Sequence, residues 1–151
     1  MSIALTLHLL ATIVWVGGMF FAHMAMRPVA AQLLAPPQRL PLLAGVFKRF
    51  FLWVWVSVTL LALTGYWMIF AVFGGMKGVG VHVHAMSGIG LVMIALFVFL
   101  YLSPFRAMLS ALERDDFREA GNRLALIRVI VATNLLLGIA VTVVAVAGKY
   151  L

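Results

Sequence analysis

The sequence predicts an all-α protein, an integral membrane up-and-down four-helix bundle, and three observations point there. Of 151 residues, 66% are hydrophobic and only 10% charged. Mean hydropathy is +1.17, well above that of a soluble domain. Four apolar stretches, approximately 3–26, 50–73, 81–102 and 126–147, each supply the roughly 20 residues that a hydrocarbon core about 30 Å thick requires. They use up most of the chain, so residues 1–151 read as a single transmembrane domain.

The first stretch reads as a retained helix rather than a signal peptide, because its apolar run is long, no basic residue precedes it and no small-residue cleavage pattern closes it. Arg27 and Pro28 are expected to end it, and Pro36, Pro37 and Pro41 to break the following linker into a short amphipathic stretch and a turn. In the second stretch Trp53, Trp55, Tyr66 and Trp67 lie towards the two ends, where aromatic rings anchor at headgroup level. Gly74, Gly75, Gly78 and Gly80 make a tight turn into the third helix, which fixes the second and third as antiparallel neighbours. From 103 to 123 the charges alternate in sign, with Glu113, Arg114, Asp115, Asp116, Arg118 and Glu119. That pattern predicts a cytoplasmic surface helix between the third and fourth spans. In the fourth stretch Asn134, flanked by Thr133 and near Thr142, brings an amide to mid-membrane that needs a hydrogen-bond partner, and it reads as a pin between helices. The two helix pairs share no repeated motif.

Net charge is +7, from eleven Lys and Arg against four Asp and Glu. Its distribution speaks for membrane topology and not for nucleic acid. Arg27, Arg39, Lys48 and Arg49 precede the second span, and Arg106, Arg114, Arg118, Arg123 and Arg128 surround the loop before the fourth, while Lys77 and Lys149 are the only cations on the opposite side. The positive-inside rule therefore places both termini outside, in the periplasm of a bacterial inner membrane. The lipid bilayer is the first partner, with anionic headgroups facing the basic loops. Cysteine is absent, which excludes disulfides, thiolate metal sites and iron–sulfur clusters. All four acids lie between 113 and 119, so no paired carboxylates are available for hydrolysis.

His8, His82 and His84 cluster near the same membrane face, and ionisable side chains at membrane depth are functional candidates. At about 1.5 Å of rise per residue, His8 lies roughly 8 Å below the edge and His84 at a similar level, so the two are expected to meet across the bundle. His23, about 22 Å further along the first helix, cannot share their ligand. His82 and His84 are about 200° apart around a helix, and either could face inward. Gly88 beside His84, and Thr12 and Trp15 beside His8, offer small and aromatic surfaces for a flat macrocycle. These residues predict haem b held by His8 and either His84 or His82. The alternative is copper, bound by His82, His84 and Met86, since imidazole and thioether donors suit the cuprous ion.

The residues Leu7 to Ala11, followed by Trp15, Val16, Gly17, Gly18, Met19, Phe20 and Phe21, resemble the first helix of the copper resistance D (CopD) family, especially its short stand-alone members. Thr64 and Gly65, the His82, His84 and Met86 series, and Ile127, Arg128, Asn134 and Leu135 extend the likeness. The layout is also similar to HemJ-type protoporphyrinogen oxidases, whose first-helix and third-helix histidines are implicated in haem binding. That likeness implies His8 with His82 or His84 as axial ligands. The oxidases' Lys after the third-helix His has no counterpart, since Met86 or Ser87 stands there, and the oxidase activity does not carry over. The leading expectation is thus a membrane haem protein in electron transfer, an oxidoreductase whose partner is quinone, porphyrin or another redox protein. CopD likeness implies copper handling or transport instead, and a chain of half the length of the larger members is expected to form a homodimer.

Overall fold

The computed structural model describes residues 1–148. Lys149 lies outside the described residues. The chain forms four long helices, α1 (Ser2–Leu33), α2 (Pro36–Val72), α3 (Val81–Glu113) and α4 (Phe117–Ala147), each long and apolar enough to cross a membrane. It is a multi-pass membrane protein. A two-residue connection, Leu34 and Ala35, joins α1 to α2, and both residues are extended, as Pro36 requires of Ala35. The turn between α2 and α3 uses Gly74 and Gly75 at φ of 73° and 103°, where a side chain would be strained. Arg114 to Asp116 connect α3 to α4, and the Asp116 carboxylate accepts from the Glu119 amide at 3.0 Å, capping α4.

Two expectations about boundaries are corrected. Pro28 does not end α1. A wide π-helical turn, Ala22–Met26, precedes it and accommodates a ring that would strike the carbonyl four residues back in a regular helix. Pro36 and Pro37 occupy the first turn of α2, whose amides have no intrahelical acceptor anyway. The 103–123 segment does not form one separate helix. It forms the end of α3, through a second π turn, Tyr101–Phe105, that holds Pro104, and the start of α4. Packing runs through both parts: Met108, Ala111, Ala120 and Ile127 are completely buried.

The helices thus extend past the four apolar stretches at one end, which carries Arg27, Arg39, Lys48, Arg49 and all the basic residues from Arg106 to Arg128. This basic end contains the densest packing. Phe51 is its hub, stacked on Phe47 at 5.4 Å and meeting Phe105 edge-on at 4.9 Å and Phe97 at 5.7 Å, the offset geometries that aromatic quadrupoles favour. Trp55 packs edge-on against Phe97 and Tyr101, so it is a core residue and not the expected anchor. Trp53, Tyr66 and Trp67 are exposed, as anchors must be.

Towards the opposite, terminal end the bundle loosens. Among the described residues α3 has no buried side chain before Met93 and α4 none after Gly138. There the principal contacts are α1 with α2 and α3 with α4, so the bundle parts into two helix pairs.

Candidate metal site at the terminal end

His8 stands on the inward stripe of α1 with Ala11, Trp15 and Met19, all three buried. Its Nδ1 lies 2.9 Å from Thr64 Oγ1 on α2. The Thr64 hydroxyl donates to the Leu60 carbonyl, so its oxygen must accept, and the imidazole proton sits on Nδ1. That leaves the Nε2 lone pair of neutral His8 free, which is the tautomer a metal ion binds. A ring oriented through its other nitrogen is the usual arrangement for a ligating histidine.

On α3 the two candidate histidines separate. His82, half-buried, packs beside Gly148 at the end of α4, where a Cβ would strike the imidazole. Met86, one turn on, is also half-buried, and the stripe they begin continues through Met93, Phe97 and Leu100 into the core. His84 is exposed, on a face shared with exposed Gly88, Leu91 and Val92. Of the two histidines His82 is the less exposed.

A Cβ at Gly138 would lie 2.8 Å from a Val16 methyl and 3.3 Å from Met93 Cε, so α1, α3 and α4 meet at that level. His8 is eight residues above Val16, about 12 Å, and Gly148 ten residues above Gly138, about 15 Å. His8 and His82 therefore occupy one layer, on the two helix pairs that part there.

The remaining haem-directed residues are used otherwise. Trp15 is buried edge-on against Phe97 at 6.2 Å, and Thr12 donates to the His8 carbonyl at 2.9 Å. A Cβ at Gly88 would meet nothing within 4 Å, so the space it leaves opens outward. His84 and Gly88 face away from the stripe that enters the core. Among the described residues no three His, Cys, Asp or Glu side chains gather as a metal-holding group. Met86 lies one turn from His82 on the same stripe of α3. His23 lies at the basic end, apart from the other three. Asn134, 2% exposed, donates to the Met93 carbonyl at 3.1 Å and so joins α4 to α3. Reading α3 on its own left the position of Met86 relative to the histidines open; its spacing of four from His82 was the available signal.

A family model described as copper resistance protein D matches residues 44–147. The match covers more than half of the chain, including His82, Met86 and Asn134, and leaves His8 outside it. No curated protein and no solved structure matches the chain.

Proposed function

The chain belongs to the copper resistance protein D family, and from that premise we propose that it carries copper at the membrane, taking up the cuprous ion at its terminal end through His82 and Met86. The observation that carries this reading is the placement of an imidazole and a thioether one turn apart on the inward stripe of α3, at the mouth of the bundle. These are the soft and borderline donors that suit Cu(I). His8 supplies a further donor from the other helix pair, through its free Nε2. Copper is here the cargo. Its handling needs no net electron transfer and no acid or base, in keeping with a site free of carboxylates. The positive charge gathered at the other end supports a periplasmic position for the terminal end. The family description speaks for copper; neither it nor the outward turn of His84 and Gly88 supports haem b or an oxidoreductase role.

Transport is tested in proteoliposomes loaded with a Cu(I) chelator. Uptake by the wild-type protein should fall at least about ten-fold in His82→Ala and in Met86→Leu, by the scale of a lost ligand, and stay unchanged in His84→Ala. Equal uptake in all four preparations would refute the assignment.

A further inference from the structure

At the basic end a recess opens between α1, α2 and α4, lined by His23, Arg27 and Arg128 together with the apolar Leu43, Phe47, Leu124 and Val131. It is a shallow recess with an open mouth. Arg27 is within electrostatic reach of Arg128 across the recess and of Arg39 on α2, so both guanidinium groups repel its own.

No carboxylate relieves that repulsion. α1 and α2 contain no acidic residue at all, and the four acids of the chain begin at Glu113. Among the described residues the one ion pair is Arg123 with Glu119 at 2.6 Å, and Glu119 lies nine residues from Arg128, about 13 Å along α4. Among the described residues neither Arg27 nor Arg128 donates a side-chain hydrogen bond to the protein. Their donors are free, their charges uncompensated, and the wall beneath them is apolar.

We infer that the recess formed by His23, Arg27 and Arg128 binds the phosphate of an anionic phospholipid, with the lipid's chains lying against the apolar residues on its membrane side. A guanidinium pair presents the forked donors that phosphate oxygens accept. Basic pockets between transmembrane helices at the cytoplasmic face are suited to such headgroups. The position fits as well, because Arg27 follows directly on the apolar part of α1 and Arg128 lies two residues into that of α4. A phosphate seated there neutralises the cluster and bridges α1 and α4.

Native mass spectrometry of the full chain in neutral detergent, titrated with phosphatidylglycerol, phosphatidylcholine or inorganic phosphate, tests the site. One phosphatidylglycerol should bind per chain, in preference to phosphatidylcholine. Each charge removed should weaken it about five-fold, and roughly twenty-five-fold for Arg27→Gln with Arg128→Gln. Arg27→Lys with Arg128→Lys should retain most of the binding, and Lys48→Gln with Arg49→Gln, exposed cations of the same end, all of it. If the double glutamine variant fails to fold, the single Arg128→Gln substitution at an exposed position carries the same reading at about five-fold. Equal binding of the two lipids, or equal loss in the Lys48 and Arg49 variant, would overturn the site. Displacement of the lipid by inorganic phosphate would show a free anion to be the occupant and overturn the lipid assignment.

Discussion

Thr64 illustrates how one hydroxyl sets the chemistry of a neighbour. Because it donates to Leu60, it can only accept from His8, and His8 is left with its lone pair outward. Thr64→Val removes that acceptor from a protonated Nδ1 and should cost about 1 kcal/mol of stability, read as a lowered unfolding midpoint in detergent, with weaker copper retention alongside. Asn134 differs. Its Nδ2 is bonded, but its Oδ1 is buried without a partner, so the amide gains one hydrogen bond and loses another. Asn134→Leu should therefore change stability by less than about 1 kcal/mol, whereas Asn134→Asp, at mid-membrane, should cost about 3 kcal/mol. At this scale the sequence was informative about residue type and depth but not direction. That His8 is a candidate ligand, and that His82 and His84 lie towards the same face as it does, could be read from positions alone. That His82 faces inward and His84 outward could not, because two residues 200° apart exchange roles when the helix turns, and only the packing of α4 against α3 fixes that rotation.

Among the elements, α4 packs against each of the others, and at Gly138 it is approached closely by Val16 of α1. Gly138→Val would drive branched carbon into the Val16 methyl and Met93 Cε. It should destabilise the bundle by about 1 to 3 kcal/mol, separating α1 from α4 while leaving the α3 and α4 hairpin paired, as cysteine crosslinking between each pair would report. The limits of the apolar runs were legible in the sequence, and the limits of the helices were not. Proline and alternating charge are ordinary helix-ending signals, and they were overridden by stripes that continue through them. Leu40, Leu43, Ala44, Phe47, Phe51 and Val54 recur at helical spacing on both sides of Pro41 and are all buried. That periodicity was present in the sequence, but its meaning depended on Met108, Ala111 and Ala120 arriving opposite it from far along the chain.

Over the whole molecule, packing and charge divide in the same way. The basic end is held by aromatic clustering and by side chains with no exposure, while the terminal end, with its histidines and methionine, has half-buried positions and two helix pairs in place of a closed bundle. Stability should follow that gradient. In hydrogen exchange, amides around His82 to Val92 and 139–147 should exchange faster than those of 106–111 and 120–131, and saturating Cu(I) should slow the first group selectively. A looser end is where an ion can be admitted and released, and a rigid end is what holds the two pairs in register. The four-helix membrane architecture needed only composition and run length to be read. The division into a rigid and an open end needed the structure, because it depends on which stripes meet.

The most direct measurement is the titration of the detergent-purified protein with Cu(I) against a competing chelator, with visible spectra recorded on the same samples. One copper ion should bind per chain, at least about ten-fold more weakly in His82→Ala and in Met86→Leu, and with wild-type affinity in His84→Ala. Copper binding indifferent to His82 and Met86, or a stoichiometric reduced b-type haem spectrum with no copper bound, would contradict the assignment of this end as a copper site.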